Sequence, residues 1–572
     1  MYLPTLKENK QSRLMTSEFG GYDRRLRIGD GQWCEMQNMT GDCYPMLASR
    51  TPRGIGEEIA SPAGLTAKDA LIWVSGSKIV IGGKAVELGL SEGVKQLVSM
   101  GAYLVIWPDK KYINTKDLTD FGSLERRYES TGTVTLRLCR ADGTDFGDWQ
   151  AGGSAPEGAQ SGALWIDTAA QTPVLRRFDG ESWSAVDGVC VEIRAAGIGE
   201  GFQAGDGVEI DGCADERMNG SFLLERAESG AIVVSGILTQ TVSQTETLTV
   251  SRSVPEMDFV IESGNRLWGC KYGVVDGKAV NEIYASKLGD FKNWNCYAGR
   301  STDSYAAPRG SDGPFTGAAD YLGSPLFFKE DCVERVYPSA AGAHQIVTVR
   351  CPGVRKGSGR SLQTVEGVLY YHGCGGVYAF DGSMPQRVSQ ALGEDEYHGA
   401  VAGGADGKYY LSVLDTENQP QLLVYDVRQG LWHREDDLRA VGFAVSGGVL
   451  YAMTKEGDIL ALEGGGTVQE EPVVWRAETG ELGLDSSEGK YLVRLSLRLR
   501  PEEGSTVRAA VSYDEGQTWQ EQGGVTGSGR LRDCVLHVRP RRCRRLRLRL
   551  YGVGGCRVYS LTTVYEKGSD GP

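Results

Sequence analysis

A repeat of short apolar strands and turns is the feature that most constrains the fold of this chain. Each unit reads as a small-residue strand, a Gly turn, a strongly apolar strand, a polar turn and a third strand. The units lie at residues 67–88, 94–115, 257–273, 315–337, 360–382, 397–414 and 439–464. The later units recur roughly every 40 residues, the period of four-stranded propeller blades. Because no unit can bury both faces alone, we expect a β-propeller of about six to eight blades.

The repeat is interrupted once and then ends. We expect a domain inserted into the propeller and an antiparallel β-sandwich at the C-terminal end, where apolar and polar residues alternate. The predicted boundaries are 1–60 for an N-terminal arm and the start of the propeller, 61–126 for the first blades, 127–255 for the inserted β-rich domain, 256–466 for the remaining blades and 467–572 for the sandwich. The predicted fold class is therefore all-β.

Charge and composition narrow the choice of partners. The net charge of −14 argues against a protein that wraps nucleic acid, because phosphate contacts need an excess of Lys and Arg. It does not argue against a pore, since walls of the same sign as DNA let a strand slide through. We find no apolar stretch of about 18 residues, so no membrane span is expected. We expect synthesis in a cytoplasm.

Metal and cofactor sites are not expected. The 13 cysteines are scattered without a C-x-x-C pair, and the five histidines lack the spacing of metal ligands. Reduced, mostly buried thiols fit this pattern best. The Gly-rich stretches at 353–360 and 373–382 lack the phosphate-loop motif and read as turns.

The stretch "SYDEGQTW" raises the question of sugar cleavage. Its S-x-D-x-G-x-T-W spacing resembles the Asp-box of sialidases and other propeller hydrolases. Asp can accept hydrogen bonds from a turn, Gly supplies the turn conformation, and Trp folds back as a plug. We therefore interpret the stretch as a hairpin staple within the sandwich. Its residues are Ser512, Asp514, Gly516, Thr518 and Trp519.

The other residues considered for catalysis are carboxylates that stand side by side. Glycosidases need two carboxylates at a defined separation, which a sequence does not reveal. We interpret the pairs Asp395–Glu396 and Asp436–Asp437 as solvated loop charges. No catalytic residue is assigned.

A basic cluster near the C-terminal end is a candidate contact surface. In "RLRLRL", arginines alternate with leucines, which indicates a half-buried strand with a cationic outer face. Contact with phosphate, with an acidic partner protein or with a neighbouring subunit is one interpretation, and a solvated edge strand that resists aggregation is the other. The arginines are Arg541, Arg542, Arg544, Arg545, Arg547 and Arg549.

Two tryptophans of the insertion, Trp165 and Trp183, are candidate glycan contacts. Exposed aromatic planes stack on sugar rings, although a Trp in a small β module more often belongs to its core.

The N-terminal segment at 19–54 carries a resemblance. Its "FGGYD" start leads to "NMTGDCYPMLASR", and this order resembles the opening of tail nozzle and DNA-stabilisation proteins of short-tailed bacteriophages and prophages. Segments 265–294 and 360–389 resemble the same group. The residues that carry the N-terminal match are Phe19, Gly21, Asn38, Met39, Asp42, Tyr44, Pro45, Leu47, Arg50 and Arg53.

The resemblance implies a structural virion protein of the phage tail and not an enzyme. Members of that group form a ring, often a hexamer, around the DNA exit channel, where they hold and gate packaged DNA. The implied partners are other copies of the chain, other tail proteins and passing double-stranded DNA. The implied location is the virion tail, with assembly in the bacterial cytoplasm. A tail protein that binds a host receptor or surface glycan through the insertion, and a propeller glycosidase, are the alternatives.

Overall fold

The computed structural model describes residues 11–294, 304–339, 344–464, 468–485 and 487–568. Within these ranges the regular elements are 53 strands and three short 3-10 helices. The predicted all-β class is therefore confirmed. No helix in the described part of the chain is long and apolar enough to span a membrane.

Contacts between Cα atoms divide the chain into two compact units. The first contains the described residues up to Lys95, the segment Phe327–Glu334 and the described residues from Thr348 onward. The second contains the described residues of Gln96–Leu326 and Arg335–Val347.

The N-terminal segment supplies short strands, and two blade sheets follow it. The first five strands are β1 (Gln11–Thr16), β2 (Trp33–Gln37), β3 (Met39–Thr40), β4 (Leu47–Ser49) and β5 (Gly54–Glu58). One antiparallel sheet is then formed by β6 (Pro62–Ala67), β7 (Leu71–Ser75), β8 (Lys78–Ile81) and β9 (Lys84–Glu87). The next is formed by β10 (Gln96–Met100), β11 (Tyr103–Trp107), β12 (Lys111–Asn114) and β13 (Phe121–Ser123).

The inserted domain follows the second blade. Its strands are β14 (Arg126–Glu129), β15 (Val134–Arg140), β16 (Trp149–Gly152), β17 (Leu164–Asp167), β18 (Val174–Phe178), β19 (Trp183–Ala185), β20 (Val189–Arg194), β21 (Gly207–Asp211), β22 (Gly220–Glu228), β23 (Ala231–Ser235), β24 (Val242–Gln244) and β25 (Thr249–Arg252), with a 3-10 helix at Glu216–Met218. Eight of them form one sheet, in the order β14-β25-β21-β22-β23-β20-β15-β24. Strands β16 to β19 form a separate small sheet.

Five further blade sheets follow the insertion. Their strands are β26 (Phe259–Ser263), β27 (Arg266–Val275), β28 (Lys278–Ala285), β29 (Tyr305–Pro308), β30 (Gly317–Tyr321), β31 (Ser324–Phe328), β32 (Cys332–Tyr337), β33 (Gln345–Arg350), β34 (Gln363–Val365), β35 (Val368–Gly373), β36 (Gly376–Phe380), β37 (Gln386–Arg387), β38 (His398–Ala405), β39 (Lys408–Leu414), β40 (Pro420–Asp426), β41 (Leu431–Arg434), β42 (Ala440–Ser446), β43 (Val449–Thr454), β44 (Asp458–Ala461) and β45 (Val468–Gln469). Further 3-10 helices span Gly359–Ser361 and Gln390–Leu392.

The blade sheets are consecutive meanders, as the repeat predicts. The last one is completed by β5 from the N-terminal segment, which pairs with β44 and β45. In the first unit, the starting strands β34, β38, β42 and β6 contact one another in that order, and in the second unit β10, β26 and β30 do so. Propeller blades stack through their innermost strands in this way. The described residues contain seven such sheets, within the expected six to eight.

The C-terminal sandwich uses strands from both ends of the chain. Its late strands are β46 (Val474–Thr479), β47 (Lys490–Pro501), β48 (Thr506–Ser512), β49 (Gln520–Thr526), β50 (Arg532–His537), β51 (Arg542–Cys543), β52 (Arg547–Val553) and β53 (Cys556–Lys567). One sheet has the order β3-β4-β53-β47-β50, with β1 on β53 and β51 on β47, and the other has the order β2-β46-β52-β48-β49. The N-terminal segment therefore belongs to the sandwich as well as to the last blade.

A continuous apolar core joins the sandwich to two blades of the same unit. It includes Trp33 from β2, Trp432 from β41 and Trp475 from β46, each almost fully buried. Gly21 lies at the junction with a positive φ of 77°, and a Cβ there would stand 2.6 Å from the carbonyl oxygen of Trp432. Only glycine fits this position, because both the backbone angle and the space exclude a side chain.

Two arginines of the N-terminal motif form a buried ion-pair network with the blade of β38 to β41. Arg53 Nη1 lies 2.6 Å from Asp436 Oδ2, and Arg53 Nη2 lies 2.6 Å from Glu435 Oε2. Arg50 donates to the side chain of Asn38 at 2.7 Å. Burial opposes ionisation of Asp436, but Arg53 and Arg50 outweigh it and hold the pKa of Asp436 below its ordinary value. The interpretation of Asp436 as a solvated loop charge is therefore wrong.

Replacing Arg53 by Met should destabilise the first unit strongly, because two buried carboxylates would lose their closest cation and keep only the longer contacts of Arg50, at 3.8 and 3.4 Å. We expect a loss of about 3–5 kcal/mol in the free energy of unfolding. Urea denaturation followed by tryptophan fluorescence measures it. Arg428→Met, which removes an exposed pair with Glu366, is the control and should cost less than about 1 kcal/mol. Equal effects of the two substitutions would show that the buried network contributes nothing special.

Candidate functional site

A groove lined by arginines lies on the sandwich. Two adjoining cavities of about 370 and 580 Å³ share Glu481, Arg545 and Arg547 in their walls. Arginines outnumber acidic residues in the combined lining, so the groove is a positive surface on an otherwise acidic chain. We call it the arginine groove, and its charged lining residues are Arg25, Arg27, Glu481, Glu515, Arg541, Arg542, Arg544, Arg545 and Arg547.

Strand β52 sets the direction of the arginines. Leu546, Leu548 and Leu550 are at most 2% exposed and face the core, so the alternate arginines face outward. The strand is hydrogen-bonded to β46 on one side and to β48 on the other. It is a central strand of its sheet, so the interpretation as a protective edge is wrong for Arg547 and Arg549, which lie on it.

A buried lysine holds the segment before β52 in place. Lys490 is fully buried, and its Nζ donates to the carbonyl oxygens of Gly483 at 2.5 Å and Arg544 at 2.7 Å. Burial lowers the pKa of Lys490. These bonds fix the backbone on which Arg544 and Arg545 stand at the surface.

Several arginines of the cluster already have partners on the sandwich. Arg545 pairs with Glu481, and Arg549 Nε lies 2.8 Å from Glu478 Oε1. Arg547 donates to the carbonyl oxygens of Thr479 at 3.1 Å and Glu515 at 2.9 Å. These contacts hold the guanidinium groups in place, which favours recognition of a ligand by a rigid surface.

The N-terminal loop supplies the part of the groove that sequence reasoning missed. Arg25 and Arg27 line one cavity together with Leu26, whose side chain is fully exposed. Arg25 is held by the buried carboxylate of Asp23, with Nε 2.9 Å from Oδ1. The "DRRLR" run was visible in the sequence, but only pairing of β2 with β46 brings it beside β52.

The Asp-box-like residues form a hairpin turn between β48 and β49. Asp514 accepts hydrogen bonds from the Ser512 hydroxyl at 2.8 Å and from the Thr518 backbone N–H at 2.9 Å. Gly516 has a positive φ of 94°, and its N–H donates to the Ser512 hydroxyl. Trp519 folds back under the guanidinium of Arg549, 4.0 Å from the ring centroid. Glu515 of this turn lines the arginine groove, so the turn borders the groove.

The two candidate glycan contacts pack together in the small sheet of the insertion. Trp165 is 7% exposed, and its indole N–H donates to the carbonyl oxygen of Gly152 at 3.0 Å. Trp183 is half-buried and meets Trp165 edge to face, with ring centroids 5.4 Å apart. The ring of Trp165 is therefore buried in the core of the small sheet. A stacking role for Trp183 stays a prediction.

Comparisons with known proteins find similar folds at very low identity. No family model and no curated protein matches this chain. Similar solved structures include an exo-β-1,3-galactanase from Phanerochaete chrysosporium (9% identity, 53% of this chain and 94% of that chain, TM-score 0.23), a glycoside hydrolase family 43 arabinoxylan arabinofuranohydrolase from Bacillus subtilis (9% identity, 54% and 94%, TM-score 0.17) and a Trypanosoma rangeli sialidase (10% identity, 98% and 96%, TM-score 0.24).

These findings correct two expectations. The similar structures are carbohydrate-active enzymes, which contradicts the assignments as a phage tail nozzle and as a protein that is not an enzyme. Both assignments are therefore withdrawn, and similarity at TM-scores of 0.17–0.24 assigns no activity to this chain. Similarity at this level does not assign a catalytic residue, a substrate or a reaction to this chain. The resemblance to phage tail proteins, the implied partners and the virion location stay predictions that the comparisons do not test.

Replacing Asp514 by Asn should loosen the turn, because one oxygen acceptor of the Thr518 contacts becomes an amide donor. Hydrogen exchange of the peptide covering 512–520 should be faster than in the unchanged protein, while exchange in the blades stays the same. Hydrogen bonds from Thr518 and Ser512 lower the pKa of Asp514 to about 2. The contribution of the carboxylate is therefore present above about pH 4 and is lost as the pH falls toward 2. Unchanged exchange in the variant would contradict the staple.

Proposed function

We propose that this chain binds an acidic segment of a partner protein in the arginine groove. The observation that carries the proposal is a rigid, arginine-lined groove, far larger than a single ion needs. Guanidinium groups bind carboxylates through paired, charge-assisted hydrogen bonds. A chain with several carboxylates would engage several arginines at once.

Leu26 favours a protein over other polyanions. It is fully exposed between Arg25 and Arg27, and Ile28 lines the same cavity. An acidic peptide can place an apolar side chain on Leu26 and carboxylates on the arginines, as interfaces combine apolar anchors with a charged rim. Phosphate chains and acidic polysaccharides offer little apolar surface for such a contact.

Charge reversal in the groove should abolish this binding. The probe is a fluorescent peptide of alternating Glu and Leu, and fluorescence anisotropy measures its affinity. The double variant Arg541→Glu and Arg544→Glu should weaken binding by at least about tenfold, because both side chains are exposed at the groove. Arg530→Glu is the matched control on the same sandwich, outside the groove lining, and should bind nearly as the unchanged protein does.

Leu26→Ser separates a protein ligand from a plain polyanion. This substitution should lower the affinity for the Glu–Leu peptide but leave the affinity for poly-glutamate unchanged, because only the Glu–Leu peptide offers an apolar contact. Equal affinity of the charge-reversed and unchanged proteins would refute the groove as the site. Binding of duplex DNA or an acidic polysaccharide as tight as that of the peptide, with no effect of Leu26→Ser, would refute a protein partner.

A further inference from the structure

A second cavity lies beside the blade of β34 to β37, away from the arginine groove. Its volume is about 180 Å³, and residues of β35, β36, β37 and the loop 389–397 line it. Apolar contacts come from Val377 and Leu392. The size fits a small metabolite rather than a polymer.

The lining of this cavity includes a buried histidine. His372 is 2% exposed, and its Nδ1 lies 3.1 Å from the Ser358 hydroxyl oxygen. That oxygen accepts the N–H of Ala400 at 3.3 Å, so its own proton is available to Nδ1. When the Ser358 hydroxyl donates to Nδ1, the ring proton lies on Nε2 and is available to a ligand. Burial lowers the pKa of His372 to about 4, so the ring is neutral at physiological pH.

Two arginines add positive charge to the lining. Arg355 lies next to β35, and its backbone N–H donates to the carbonyl oxygen of His372 at 3.0 Å. Arg387 belongs to β37, and its guanidinium donates to the Ser389 hydroxyl and to the carbonyl oxygen of Gly393, both at 3.2 Å. With the Nε2–H of His372, these groups make a set of donors for a carboxylate.

Acidic residues of the following loop line the same cavity. Glu394 and Glu396 are exposed and lie in the lining. Asp395, between them, is bound by Arg24 from the N-terminal loop, with Nε 3.1 Å from Oδ2. The backbone N–H of Arg24 also donates to the carbonyl oxygen of Ala391 at 2.7 Å. The loop is therefore fixed in place, and two carboxylates remain at the cavity as acceptors.

We propose that this cavity binds a small zwitterion of the size of a free amino acid. The carboxylate lies at Arg355, Arg387 and His372, and the ammonium group lies at Glu394 and Glu396. A ligand with both charges pairs with both sets of groups. A simple anion would leave the two glutamates without a cation, and a simple amine would leave the two arginines without an anion.

The test is isothermal titration of the full chain with the free amino acids. For the tightest binder, two matched compounds follow, one without the amino group and one without the carboxylate. We expect saturable binding of at least one amino acid, with both matched compounds at least about tenfold weaker. Binding of none of the amino acids, or equal binding of the compound without the amino group, would overturn the proposal.

Variants assign the two ends of the ligand. Arg355→Gln should lower the affinity for the amino acid and for the compound without the amino group to a similar extent, because the carboxylate of both loses the same contact. The double variant Glu394→Gln and Glu396→Gln should lower the affinity for the amino acid only. The amino acid should then bind no more tightly than the compound without the amino group. Glu417→Gln, in an exposed turn of the neighbouring blade, is the control. Amino-acid binding that survives both sets of substitutions, with thermal melts unchanged, would place the ligand elsewhere.

Discussion

The fold of the first unit depends on the N-terminal segment binding to parts of the chain that follow hundreds of residues later. Arg53 lies between Glu435 and Asp436, which are more than 380 positions further along. The same segment completes the last blade through β5 and both sandwich sheets through β2, β3 and β4. Such pairing is expensive in chain entropy, so it needs strong contacts once formed. The buried ion pairs and the tryptophan core supply them.

This constraint explains why the N-terminal motif has its particular residues. Gly21 lets the backbone approach Trp432, and Asn38 accepts a hydrogen bond from Arg50 while its own N–H donates to the carbonyl oxygen of Glu435. Met39 and Leu47 enter the sandwich core. Each residue joins the sandwich, the blade or both. These residues of the motif therefore form a structural junction.

The sequence predicted the local features well because they depend on neighbouring residues. The blade repeat, the inserted domain, the Asp514 turn and the alternation of leucines with arginines all follow from short-range patterns. The pairing of the chain ends did not follow, because nothing local in "WCEMQ" indicates that its partner strand begins at residue 474. The arginine groove was half predicted for the same reason. Arg541 to Arg549 stood out, while Arg25 and Arg27 reach the site only through long-range pairing. The pairing of Ser358 with His372 could not be foreseen, since only the blade meander brings them together.

The N-terminal loop also links the surroundings of the groove and the cavity. Arg24 turns toward Asp395 at the cavity, while Arg25 and Arg27 line the groove. Backbone bonds hold this loop from both directions, since Tyr22 N–H donates to Trp432 at 2.6 Å and Asp23 N–H donates to Trp33 at 2.8 Å. Because these bonds join the loop to buried parts of the core, neither site needs to order it when a ligand arrives. A ligand at one site therefore does not reduce the entropy cost of ordering the loop for a ligand at the other site. Because the loop has a single conformation, we expect the affinities of the two sites to be independent.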